Sequence, residues 1–161
     1  RTDPALNAPR PYGLALHHKH LPEMAAITGL TTPPTFVPVV ADYYAGMETM
    51  VPLDLPALGL TAQQVAGALA DYYAGQKMTS LPLWMTVKEL QTFYHDFYAD
   101  FQVERSEEML DRLEIFCLAN PDGTQMELIS LFDNLGKGSS GAAVQCMNLM
   151  LGLDETAGLV L

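Results

Sequence analysis

The segment His17-His18-Lys19-His20-Leu21-Pro22-Glu23 holds three of the chain's four histidines together with a carboxylate. Imidazole is the side chain whose ordinary titration falls nearest neutrality, so it can both take and give a proton there. If Pro22 opens a helix, Glu23 falls within one turn of His20. Proline suits that start because its missing N–H is not needed in a first turn. A histidine with a carboxylate in reach is an arrangement for acid–base work. His18 and His20 alternate, so on a strand they would share a face and could begin a metal site. A metal needs further ligands, however, and no second His/Cys cluster supplies them. The bland reading is a solvated polar loop with one histidine satisfied in the core. The residues alone leave all three open. His95, in an aromatic segment, reads as structural. Cys117 and Cys146 lie on apolar strand and helix faces, where inert packing is the default.

A second stretch, Asp133-Asn134-Leu135-Gly136-Lys137-Gly138-Ser139-Ser140-Gly141, runs into a helix expected from about Ala142 to Leu151. Ala143, Cys146, Met147 and Met150 form the apolar face of that helix. A Gly/Ser-rich turn ahead of a helix presents free N–H groups and a partial positive charge, which suits an anion or a polar cofactor group. Lys137 adds a full charge. The stretch matches neither a Walker loop nor a Gly-x-Gly-x-x-Gly fingerprint.

These groups must be positioned by one modest domain. The 161 residues are 49% hydrophobic and 17% charged, the composition of a folded chain with a core. A net charge of −11 argues against nucleic acid and against an anionic membrane surface as partners. The two cysteines form no metal or redox spacing, and no apolar run reaches transmembrane length. A soluble, cytoplasmic protein is therefore expected. The start at Arg1 hints at a processed or excised piece.

Residues 1–11 read as extended, and Tyr12–Leu16 as a short strand delivering the histidines. Pro22 to about Thr28 reads as a helix capped by Gly29. Thr35–Ala41 and Met47–Leu53 read as strands whose prolines, Pro38 and Pro52, favour edges or bulges. Thr61-Ala62-Gln63-Gln64 fits a capping box, with Val65, Ala68, Leu69 and Tyr72 on one helical face and Gly75 ending the helix. The aromatics of residues 76–106 fit either a helix face or two strands. Leu113–Ala119 and Met126–Phe132 predict a β-hairpin around the turn Asn120-Pro121-Asp122-Gly123.

His18-Lys19-His20-Leu21-Pro22-Glu23 resembles the His-Arg/Lys-His-x-Pro-Glu segment of the N-acetyl-γ-glutamyl-phosphate reductase family. Asp133 through Gln145, with Asn148 and Gly152-Leu153-Asp154-Glu155-Thr156, resembles that family's C-terminal signature. Strands with interspersed helices and no regular βαβ repeat point to an α+β fold with a mainly antiparallel or mixed sheet, and the resemblance agrees, with helices packed on one face. The fold is similar to the C-terminal domain of glyceraldehyde-3-phosphate or semialdehyde dehydrogenases. Residues 1–161 would form a single substrate and dimerisation domain, with the final helix, about 139–151, packing on a dinucleotide-binding domain.

The implied activity is NADP-dependent reduction of an acyl phosphate, N-acetyl-glutamyl 5-phosphate, to the 5-semialdehyde in arginine biosynthesis. In the family a cysteine thiolate attacks the acyl phosphate, phosphate leaves, and hydride reduces the thioester. The family's Pro-Gly-Cys segment and Gly-rich dinucleotide motif do not occur within these 161 residues, so the chain alone is expected to be inactive. By the same resemblance His20 is the acid–base residue and Glu23 orients it or contacts substrate, with His17 and His18 as supports. Asn134, Gly136 and Gly138 approach the cofactor near its nicotinamide, and Lys137 is a weaker candidate. No metal is implied, and a homo-oligomer is. Where many members carry Pro-Arg-Gly this chain has Tyr44-Ala45-Gly46, so the substrate anion needs another anchor, Arg1 being one candidate. The alternatives are a reductase of the aspartate-semialdehyde type and a non-catalytic binding or assembly module that keeps the fold.

Overall fold

The computed structural model describes residues 8–42, 45–84, 86–102 and 110–161, for 97–102 by backbone alone. Arg1 therefore lies outside the described residues, as does Tyr44. The chain falls into two compact units, residues 1–43 and 44–161.

In the first unit, β1 (Arg10–Pro11) pairs antiparallel with β2 (Val39–Val40), and Tyr12 N–H donates to the Pro38 carbonyl at 2.9 Å. The strand expected over Tyr12–Leu16 is instead a tight turn. Leu16 N–H returns to the Gly13 carbonyl at 2.9 Å, and Gly13 and Leu16 take φ of +63° and +55°, which no strand accommodates. The strand expected over Thr35–Ala41 shortens to its last apolar pair. Helix α1 (His20–Thr28) begins two residues earlier than expected, so Pro22 sits third in the first turn, where it still displaces no helical hydrogen bond. Gly29 ends α1 at φ +72°, the left-handed cap predicted for it.

The second unit is built on a four-stranded sheet in the order β3–β6–β5–β4: β3 (Met47–Asp54), β4 (Thr79–Ser80), β5 (Leu113–Ala119) and β6 (Gln125–Phe132). β6 is antiparallel to both neighbours and β4 runs parallel to β5, so the sheet is mixed and mainly antiparallel. Pro52 lies on β3, an edge strand, where its missing donor faces away from the ladder. The hairpin of β5 and β6 forms as expected. Gly123 supplies φ +69°, and Asn120 Oδ1 accepts from the Thr124 and Gln125 N–H groups, both at 2.9 Å.

Period-two alternation then sorts the core into two clusters. Phe116, Ile129 and Leu131 face helix α4 (Val87–Gln102), meeting Leu90, Phe93 and Tyr94. Cys117, Met126 and Leu128 point the other way, toward α2 (Leu55–Leu58) and α3 (Ala62–Tyr72), meeting Leu55, Ala62, Val65, Ala66 and Leu69. Helices thus meet both faces of the sheet where one was expected, because both faces of β5 and β6 are apolar.

The Thr61–Gln64 capping box is present, and Val65 and Leu69 of the expected face pack against the core, but that face is centred toward Ala62 and Ala66 rather than Ala68 and Tyr72. Ala62 and Ala66 are buried, whereas Tyr72 is 78% exposed. The ambiguity over residues 76–106 resolves as α4. A second capping box starts it: Glu89 N–H donates to Thr86 Oγ1 at 3.2 Å and Thr86 N–H to Glu89 Oε2 at 2.8 Å. Thr86-Val87-Lys88-Glu89 carried that signal in the sequence. His95 lies on the solvent side of α4 beside Asp96, not in the core. Among the described residues no helix is long and apolar enough to cross a membrane.

Candidate functional site

The three clustered histidines are held differently. His17 is exposed. His18 is half-buried between Tyr12 and Phe36, with ring centroids at 5.8 and 5.1 Å, and its Nδ1 accepts the His20 backbone N–H at 3.3 Å. It thereby caps one of the orphan donors at the start of α1, a task that needs a lone pair on Nδ1.

His20, the first residue of α1, has Nδ1 3.0 Å from Glu23 Oε2. A carboxylate only accepts hydrogen bonds, so Nδ1 carries the hydrogen and the neutral ring keeps its lone pair on Nε2. The three-residue spacing produces this contact because residues i and i+3 lie on one side of a helix. Both side chains are open to solvent, His20 at 47% and Glu23 at 69%. The pair is accessible to a ligand, and Nε2 is the atom available to move a proton. Among the described residues no group of three or more His, Cys, Asp or Glu side chains is arranged to hold a metal.

The Gly/Ser-rich stretch forms a π-helical turn, Gly136–Ser140, that continues into α5 (Gly141–Met150). Its ladder is the long one: Gly138 N–H donates to the Asp133 carbonyl and Ser140 N–H to the Leu135 carbonyl, at 2.8 and 3.0 Å. Asn134 Oδ1 accepts the Gly46 N–H at 2.7 Å, tying the turn to the start of β3. Gly136 is buried, and a Cβ on it would stand 2.5 Å from the Leu110 carbonyl oxygen. Gly138, Ser139 and Ser140 are exposed. The glycine at 136 is thus explained by the chain's own packing, and Gly138, though exposed, is tight as well, since a Cβ on it would stand 3.0 Å from the Phe132 ring.

Lys137 is not a solvated flanking residue. It is half-buried, its Nζ donates to Gln145 Oε1 at 2.7 Å, and burial pushes its pKa below the ordinary lysine value. Gln145 Nε2 donates in turn to Glu155 Oε2 at 3.0 Å. Asn148, 2% exposed, donates to the Glu155 and Ala157 carbonyls and folds the tail back onto α5. With that buried face so polar, the apolar face of α5 points out: Met147 is 50% exposed and Met150 86%.

The cysteines separate too. Cys117 is fully buried, and burial pushes its thiol up to about 11; Cys146 is exposed, not packed as its apolar helix face suggested. Alkylation of the native chain at pH 8 is expected to modify Cys146 alone, with Cys117 reacting only after denaturation. Intact mass before and after urea checks this, and two adducts on the native chain would contradict it. The buried thiol keeps its proton where the unfolded one has lost it. Its contribution to stability therefore falls as pH rises from the ordinary thiol value of 9.0 toward about 11.

The mixed α+β unit with its four-stranded sheet fits the C-terminal fold of the semialdehyde dehydrogenases. The chain belongs to the family described as semialdehyde dehydrogenase, dimerisation domain, whose model matches residues 3–134. It is similar to N-acetyl-gamma-glutamyl-phosphate reductases, being 36% identical over 150 residues to that of Trichormus variabilis and 42% identical over 144 to that of Rhizobium etli. These alignments cover 92% and 87% of this chain but 45% and 43% of the relatives. The enzyme of Mesorhizobium japonicum is 38% identical over 152 residues, 89% of this chain and 45% of its own length. The chain thus spans less than half the length of the curated relatives it matches, and corresponds to their C-terminal part.

Proposed function

We propose that this chain is the substrate-side part of an NADP-dependent reductase that converts N-acetyl-glutamyl 5-phosphate to the 5-semialdehyde in arginine biosynthesis. The observation that carries the reading is the His20–Glu23 pair at 3.0 Å, set at the start of α1 in a family of semialdehyde dehydrogenases. His20 Nε2 takes the proton as the reductase's thiol becomes a thiolate, and returns a proton to the oxygen that becomes the aldehyde. Glu23 holds the ring in the Nδ1–H tautomer and favours the imidazolium while the proton is on loan.

NADPH, when bound, would supply the hydride and leave as NADP+. The loop residues fit it unequally. Gly138 and Ser139 are exposed and would lie against the nicotinamide end, while Asn134 and Gly136 shape the loop through Gly46 and Leu110. The outward face of α5 suits packing on a dinucleotide-binding domain. The exposed Met47, Met50 and Val51 on edge strand β3 suit the sheet of a second copy.

Covalent catalysis needs the family's Pro-Gly-Cys thiol, which does not occur within these residues; Cys117 is buried with its pKa raised to about 11, and the exposed Cys146 lies on α5 outside such a segment. The isolated 161 residues are therefore expected to show no reduction of the acyl phosphate, and the protein extended to the relatives' full length to show it. Following NADPH oxidation with both proteins tests the reading. Activity in the isolated chain would overturn the inactivity, and none in the full-length protein would overturn the function.

A further inference from the structure

The glycine-rich turn is built around a buried carboxylate from a distant part of the chain. Asp111, just ahead of β5, is 6% exposed. Its N–H donates to the Val160 carbonyl at 2.7 Å, and its Oδ2 accepts the Val160 N–H at 3.0 Å, so it also holds the tail. Oδ1 lies against the junction of the π-turn and α5: a Cβ on Gly141 would come 1.8 Å from it, and one on Gly136 3.1 Å. Lys137 N–H donates to the preceding carbonyl, that of Leu110, at 3.3 Å. Residues 110 and 111 therefore pin both ends of the π-turn, and glycine is required at 136 and 141 to admit them. Lys137 is the nearby cation; burial lowers its pKa, and Glu155 and Asp111 offset that only in part.

A π-turn carries one residue more than the α-helix it interrupts, and such turns occur mostly as single turns at functional sites. If it relaxed to α geometry, the residues ahead of it would rotate by about 100° around the helix axis. Gly138 would then no longer present the same edge.

We propose that Asp111 is a positioning residue for the cofactor-facing loop: its side chain, wedged between Gly136 and Gly141 and tied to Val160, sets the π-turn that presents Gly138 to the nicotinamide. This rests on the reading of that loop given under the proposed function. Asp111 itself touches no reacting atom.

The test uses the full-length reductase, with NADPH affinity from fluorescence titration and steady-state kinetics for both substrates. Asp111→Ala and Gly141→Ala are expected to weaken NADPH binding about tenfold, with the KM for acyl phosphate within about twofold of wild type. Asp111→Asn, which keeps the shape and can still accept from Val160, should stay within about threefold of wild type. Should Gly141→Ala fail to fold, Asp111→Ala and Asp111→Asn decide. Unchanged NADPH affinity in Asp111→Ala, or an equal rise in both KM values, overturns the role of Asp111 while leaving the proposed function intact. A wild-type enzyme that binds no NADPH overturns both.

Discussion

Replacing His20 by alanine in the full-length reductase is expected to lower kcat by about 10²- to 10⁴-fold, the usual range for a positioned acid–base group. NADPH affinity should stay within about twofold, because the lost group acts on the proton and not on the cofactor. Glu23→Gln is the sharper companion. Glutamine keeps an oxygen that can accept from Nδ1–H, so the ring stays oriented, but the negative charge that favours the imidazolium is gone. A kcat loss of about tenfold is expected there, smaller than for His20→Ala. Stopped-flow measurement of NADPH oxidation at saturating substrates reads both. An unchanged rate in His20→Ala would remove the imidazole from the chemistry and leave the His20–Glu23 contact as a helix-start device.

Phe116→Ala is expected to destabilise the second unit by roughly 3–5 kcal/mol, the range for removing a buried aromatic ring. Phe116 has no exposed surface and meets Phe93 of α4 edge to face at 4.9 Å. Leu90, Ile129 and Leu131 close the same cluster. The loss is severe because Phe116 lies in the cluster where Leu90, Phe93 and Tyr94 of α4 meet the sheet, and a domain of this size holds a margin of only about 5–15 kcal/mol. Phe116→Leu, which leaves a smaller void, should lose less. Urea unfolding gives both values, and a loss below about 1 kcal/mol for Phe116→Ala would show that α4 gains little from the sheet.

The elements that formed as read are those whose signals are local. The Thr61–Gln64 box, the Gly29 cap and the Asn120–Gly123 turn each depend on a few consecutive residues and their dihedral preferences. The alternation over Leu113–Ala119 was equally legible, since a strand's two faces are fixed by parity. Errors arose where a tertiary partner chooses between local options. Tyr12–Leu16 has strand-like composition but turns at Gly13, and Thr35–Ala41 keeps only the two residues that find a partner in Arg10–Pro11. For α3, Val65 and Leu69 of the expected face do pack inward, but Ala62 and Ala66 complete the stripe in place of Ala68 and Tyr72, because small side chains let the helix approach Cys117 and Leu128.

His20 and Glu23 were identifiable from the sequence because their relation is a three-residue spacing on one helix, and a helix fixes that geometry by itself. The Asn134–Gly141 stretch was legible as a special loop for the same reason: glycines in such density mark close approach or unusual backbone. What approaches them was not legible. Asp111 lies more than twenty residues upstream, and no spacing rule links it to Gly136 and Gly141. Only the folded chain, by bringing the start of β5 beside α5 and closing Val160 over it, decides that a carboxylate fills the place where composition suggested a bound anion.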